Sequence, residues 1–240
     1  AAVHRCERLC VNGTGDEIEA AAVEAFELGQ AAEQPDALTW FAPQLFYARA
    51  EQGRLAEVLP VIRQELADNP GLVTWRAVLA FTLVELGELE EAAEIVAALL
   101  AEDDPQHHDF AWLIGHRYIG SAAAVVGRPE HVAMQYERLA PYAGRFPCIG
   151  ISVDRAVDHT LGTLAARAGW PDRAEAHFAE AVRLHESLGA EGWQARTRLE
   201  WGRFLLDQGE TERARQLLVQ ARDVAVERGM AGVAASAESL

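Results

Sequence analysis

One short phrase recurs along the chain: Gly53-Arg-Leu-Ala-Glu-Val, Gly87-Glu-Leu-Glu-Glu-Ala, Gly127-Arg-Pro-Glu-His-Val, Gly169-Trp-Pro-Asp-Arg-Ala and Gly209-Glu-Thr-Glu-Arg-Ala. Its glycines are 34, 40, 42 and 40 residues apart. Seven residues before each glycine stand Phe46, Ala80, Gly120, Gly162 and Gly202, mostly very small. Five after it come Val58, Ala92, Val132, Ala174 and Ala214; nine after, Ile62, Val96, Tyr136, Phe178 and Leu218. Twelve after stand Glu65, Leu99, Leu139, Ala181 and Ala221, with Glu65 alone off pattern. A glycine after an apolar-periodic stretch supplies the left-handed residue that ends a helix. The acidic residues and prolines behind it suit the first turn of a second helix. Offsets of five, nine and twelve then fall on one face of that helix. The small residue seven before lets the two helices approach closely. Each unit is an antiparallel helix pair that cannot bury its apolar face alone, so neighbouring units must stack.

This phrase resembles the tetratricopeptide repeat, which places a small residue, a turn glycine, Ala, an aromatic and Ala at these offsets. The likeness is strongest in 155–186 and 195–226, good in 113–142 and 73–104, and weaker in 39–70. Pro70 and Pro105 stand where that family often places a terminating proline. Spacings of 40 to 42 exceed the family's 34, so longer helices or linkers are expected, as at 103–108, 143–147 and 187–192. The stretch from His185-Glu-Ser-Leu-Gly-Ala through Gly209-Glu-Thr-Glu-Arg-Ala-Arg resembles the repeat region of large bacterial, often actinobacterial, signalling ATPases. That resemblance implies a sensor or scaffold region of a regulator joined to a LuxR-type DNA-binding domain or a nucleotide cyclase. Neither an ATPase nor a DNA-binding signature is present here.

Composition narrows the chemistry. All 21 basic residues counted as Lys+Arg are Arg, so the P-loop, Schiff-base catalysis and pyridoxal chemistry have no lysine to use. Thirty-seven acidic residues leave a formal charge of −16, which disfavours nucleic acid and anionic membranes as direct partners. Cys6, Cys10 and Cys148 do not make a disulfide framework. Cys6 and Cys10, four apart, share a helix face and either pack inward or meet each other or a metal. No run of 18 apolar residues and no signal-peptide pattern occurs, so a reduced, cytoplasmic protein is expected. The first residue is not Met, and the chain reads as part of a longer polypeptide.

Among the eight histidines, His107, His108 and His116 lie close in sequence with Asp109, but no spacing suits a metal, and no cofactor is expected. His185-Glu186 lacks the second histidine of a zinc-protease helix, and no Gly-x-Ser-x-Gly occurs. An enzyme is therefore not expected.

The reading is an all-α, right-handed solenoid in one domain. Residues 1–38 form a degenerate pair around Gly13-Thr-Gly-Asp-Glu, and repeats span 39–72, 73–106, 109–146, 151–189 and 193–229. A cap covers 230–240. First helices would line a concave groove offering Trp40, Tyr47, Phe81, Arg117, His159, Arg167, Arg196 and Arg203 as binding candidates. The arginines either pair with neighbouring Glu and Asp or clamp an anion or a peptide carboxylate. The expected function is non-catalytic protein interaction, with a peptide, a partner protein or adjacent domains as partner. A small-molecule effector in the groove is the alternative, and self-association through the first unit's aromatic face stays open.

Overall fold

The structure, a computed structural model, describes residues 2–69, 71, 73–101 and 110–240. Among them the chain forms thirteen α-helices: α1 (Ala2–Asn12), α2 (Gly15–Ala31), α3 (Ala37–Gln52), α4 (Leu59–Asp68), α5 (Val73–Glu85), α6 (Leu89–Ala101), α7 (Trp112–Val126), α8 (Pro129–Leu139), α9 (Val157–Arg167), α10 (Pro171–Ser187), α11 (Glu191–Asp207), α12 (Thr211–Glu227) and α13 (Ala231–Glu238). No strand forms among the described residues; extended pairing is limited to isolated bridge positions at Cys148 and Val153. The chain is an all-α helical-repeat protein.

The recurrent glycines are the hinges of the pairs. Gly53, Gly87, Gly169 and Gly209 have φ between 72° and 80°, left-handed values at which any other L-residue is strained. Gly127 departs from the expected left-handed turn: it ends α7 with φ −72° and ψ 147°. Pro129 forces Arg128 to be extended, so the chain leaves the helix straight rather than curling back. Glycine is still required there, because a Cβ would sit 2.4 Å from the Ala123 carbonyl oxygen. The packing offsets hold throughout. Every residue five, nine and twelve after a turn glycine is buried, including the off-pattern Glu65. At Gly162 an added Cβ would lie 2.6 Å from the Phe178 ring, and at Gly202 2.8 Å from Leu218. At these two positions the small residue receives the large residue nine after its own turn, whereas Gly120 faces Thr160, Leu139 and Leu164.

The helices divide into two compact units. One comprises residues 55–149 and 155–181. In it α5, α7 and α9 stack on one another in order, with α4 on α5, α6 on α5 and α7, and α8 on α7 and α9. The other comprises residues 1–54, 150–154 and 182–240, so the two ends of the chain share it. Here α1 packs on α2, α3 and α11, while α13 packs on α12, α11 and α3. Purely sequential stacking of repeats does not produce such contacts. Arg228 secures them by donating to the Asn12 and Gly13 carbonyls at 2.8 and 2.6 Å, the carbonyls left open where α1 ends. Arg196 does the same for α3, donating to Ala50 O at 2.7 Å and pairing with Glu51 at 3.1 Å. Gln44 ties the 150–154 segment to α3 by donating to Ile151 O at 3.1 Å. The turn at Gly13–Thr14 opens α2 with a capping box, Thr14 and Glu17 exchanging side-chain to backbone bonds.

Candidate functional site

Four of the groove candidates belong to the unit holding both chain ends. Trp40, in the first turn of α3, is 46% exposed, whereas Trp75 and Trp193 are buried. Tyr47, expected on the outward side of the same helix, is buried. Arg196 is mostly covered and held by Glu51 and Ala50. Arg203 pairs with Glu200 at 2.7 Å along its own helix. Both of these arginines therefore take the carboxylate-paired arrangement.

The other four lie in the second unit. Phe81 and Arg117, placed outward by their offsets, are interior. Arg117 is 1% exposed, its guanidinium 3.8 Å from the Tyr118 ring centroid and 5.4 Å from that of Phe81. Burying a cation needs such compensation, and stacking on two aromatic faces supplies part of it. His159 is also buried, and only Arg167, at the end of α9, is exposed. Their burial has a common cause: first helices here stack on first helices, so a face that a single helix pair would expose is covered by its neighbour.

Sequence offsets missed a partly buried relay in this unit. Asp158 Oδ1 lies 2.9 Å from His177 Nδ1, and His177 Nε2 lies 3.0 Å from the Tyr136 hydroxyl. A carboxylate only accepts, so Nδ1–H donates to Asp158, leaving Nε2 to accept from Tyr136. Asp158 Oδ2 also accepts from Gly144 N at 2.6 Å. The relay fastens α8, α9 and α10 to the turn at Gly144. In the sequence Tyr136 carries only a packing offset, and no spacing singles out His177. Beside it a recess of about 530 Å³ is lined by Glu137, Gly169, Trp170, Pro171, Asp172 and Arg173. The Arg173 guanidinium lies 5.0 Å from the Trp170 ring centroid and 5.6 Å from that of Tyr136.

The α2–α3 hairpin exposes apolar side chains that the helix pairs elsewhere tend to cover. Val23, Leu28, Leu38 and Trp40 are exposed, and Phe26 and Phe41 are half-buried and stacked with centroids 4.6 Å apart. The turn between the helices contains Glu33 at φ 52°, the sole non-glycine with positive φ among the described residues. Its amide donates to Gln30 O, and Gln34 N donates to Gly29 O, closing the helix end in the way a glycine usually does.

Cys6 and Cys10 are buried and meet each other; the hydrogen bond from Cys10 lowers the Cys6 thiol's pKa and raises that of Cys10, which burial raises further. Cys6 Sγ also donates to Ile18 O at 3.7 Å. His116 is buried against Gln135, which donates to the His116 carbonyl at 2.7 Å. His185 is fully buried beside Trp193, ring centroids 5.5 Å apart. Among the described residues no three His, Cys, Asp or Glu are placed to hold a metal ion. His107, His108, Asp109, Pro70 and Pro105 lie outside the described residues. No helix among the described residues is long and apolar enough to cross a membrane.

No curated protein and no solved structure matches the chain. A tetratricopeptide-repeat family model matches residues 49–111. That stretch holds Gly53 and Gly87, the one pair of turn glycines spaced at the family's own 34 residues, rather than the later repeats whose offsets look most regular. Residues 49–111 are thus similar to tetratricopeptide repeats, a class of helix pairs that generally mediates protein–protein interaction.

Proposed function

We propose that this chain is a non-catalytic interaction module, the helical-repeat part of a larger bacterial regulator of transcription or cyclic-nucleotide signalling, acting in the cytoplasm. The observation that carries the reading is the α2–α3 hairpin, where Val23 and Leu38 stand in solvent on the helix faces that carry the stacked Phe26 and Phe41, and Leu28 and Trp40 are exposed on the same two helices. Clustered apolar side chains left exposed on a folded surface mark a place where another surface sits. Of the groove candidates, Trp40 reaches solvent on the α2–α3 hairpin and takes part in binding, while Tyr47, Phe81, Arg117 and His159 are buried and serve packing. The repeat match at 49–111 and the likeness of residues 185–215 to signalling-ATPase repeats support the same assignment.

The test is a photo-crosslinking amino acid at position 40 of the full-length protein in its own cells, with position 226 as control. Val226 is more exposed than Trp40 but lies on α12. A protein crosslinked at 40 and not at 226 is expected; no crosslink at 40, or equal labelling at both, refutes the reading. A second reading, effector sensing, draws on the 530 Å³ recess at Trp170 and Arg173, which falls in the size range of small-molecule sites. It requires a metabolite that raises the melting temperature and loses that effect in Trp170→Ala.

A further inference from the structure

The α2–α3 hairpin carries enough chemistry to say what kind of partner covers it. On α3, Leu38, Phe41 and Leu45 recur at intervals of three and four, one helix face, and none of the three is fully buried. On α2, Val23 and Phe26 are three apart, and the Phe26–Phe41 stack brings the two helices' apolar rows side by side. The result is a two-helix apolar surface of a width that receives one more helix.

Charge then selects the occupant. Residues 9–48 contain Asp16, Glu17, Glu19, Glu24, Glu27, Glu33 and Asp36 and no Arg or His. Glu19 is engaged by Arg49 and Glu24 by Arg5, but Glu27, Glu33 and Asp36 remain exposed around the apolar rows and the turn. A second copy of this chain fits poorly, because a two-fold contact sets each patch against itself and acid against acid. Five side chains also offer less than the roughly 800 Å² per partner of a stable interface formed by this patch alone. An anionic membrane is repelled by the same charge.

We infer that the α2–α3 face binds a basic amphipathic helix of a partner protein, its apolar stripe laid along Val23, Phe26, Leu38, Phe41 and Leu45 and its Lys or Arg residues reaching Glu27, Glu33 and Asp36. This rests on the interaction reading above and adds the partner's chemistry to it. The experiment uses the 240-residue chain and a synthetic 18-residue peptide with leucines at i, i+3, i+4 and i+7 and lysines elsewhere. Two controls accompany it: the same peptide with glutamate replacing lysine, and a scrambled peptide of equal composition that cannot form an apolar stripe. The Leu/Lys peptide should bind at least ten-fold more tightly than either control. The Val23→Asn/Leu38→Asn variant, both positions exposed, should weaken it about ten-fold, and Val226→Asn should not. Glu27→Gln/Glu33→Gln/Asp36→Asn should weaken it about ten-fold at low salt and little at 0.5 M salt, where charges separated by more than ~4 Å are screened. Equal binding of the scrambled or Glu peptide, or binding indifferent to Val23 and Leu38, overturns the proposal. So does a concentration-dependent dimer in sedimentation that Leu38→Asn abolishes, since a second copy would then be the occupant. A protein crosslinked at position 40 without this peptide selectivity would overturn the partner chemistry alone and leave the interaction reading standing.

Discussion

Gly162→Ala sets two well-known effects against each other, and the structure decides between them. In a helix interior, Gly to Ala ordinarily stabilises by about 1 kcal/mol. Here the new Cβ would lie 2.6, 2.7 and 3.0 Å from three atoms of the Phe178 ring. Phe178 is 1% exposed, so the ring has no solvent to swing into. Overpacking of this kind costs about 1–3 kcal/mol, and a rigid ring met at two atoms belongs at the upper end. The net expectation is a loss of about 1–2 kcal/mol, or roughly 2–8 °C in melting temperature for a chain of this size. The assay is urea denaturation followed by circular dichroism at 222 nm. Phe178→Leu, which removes the opposing ring, should lose stability alone. Combined with Gly162→Ala it should lose at least about 1 kcal/mol less than the two single losses added, because the two sites share one contact. A Gly162→Ala protein as stable as the parent, or strictly additive losses, would refute the claim that close approach is why this position is small.

Glu33→Gly relieves a left-handed φ of 52° and should raise the urea midpoint by the equivalent of about 1 kcal/mol; an unchanged midpoint refutes the strain. Hydrogen bonds from Arg49 and Gln52 hold the Glu19 carboxyl down to about 2 against a usual 4.5. A depressed folded value means stability that is present above pH 4.5 and lost as pH falls toward 2, on the order of 1 kcal/mol once partial solvation is discounted. Glu19→Gln should flatten the acid limb of a stability–pH curve by that amount. Glu65 has the opposite sign, because burial and then Asp68 raise its pKa. Its contribution is greatest below 4.5 and is lost as pH rises through the folded value, so Glu65→Gln should gain stability at pH 7 relative to pH 4. With Ellman's reagent, one thiol per chain should react fast, the exposed Cys148, and Cys148→Ser should abolish that phase while buried Cys6 and Cys10 react slowly. A fast phase surviving in Cys148→Ser would mean that α1 opens readily.

Much of the architecture was legible because glycine, proline and side-chain size act locally. Gly53, Gly87, Gly169 and Gly209 turn the chain by their own φ, and the close helix approach expected at the small residues is what brings Phe178 onto Gly162 and Leu218 onto Gly202. Gly127 shows the limit: Pro129, two residues on, overrode the left-handed turn. The candidate site was read less well. Offsets from a glycine place a residue on a helix but do not say which neighbour lies over it, and so Tyr47, Phe81, Arg117 and His159 were expected outside and are inside. The Asp158–His177–Tyr136 relay joins three helices through side-chain tips, and no single helix carries a spacing that announces it. Of the three aromatics expected in the groove, Trp40, Tyr47 and Phe81, Trp40 alone is exposed.

The sharing of one compact unit by residues 1–54 and 182–240 has a consequence for biosynthesis. A ribosome delivers a chain from its amino end, and domains ordinarily fold in that order. Here residues 1–54 must wait for α11 and α13, while residues 55–149 and 155–181 can condense on emergence. Closing so long an intervening stretch adds only a little chain entropy over a shorter one, since the penalty grows with the logarithm of length. Delay is the larger burden. For the time needed to translate more than a hundred further codons, α1 lacks α11 and α3 lacks α13, and a nascent-chain chaperone would find those helix faces open.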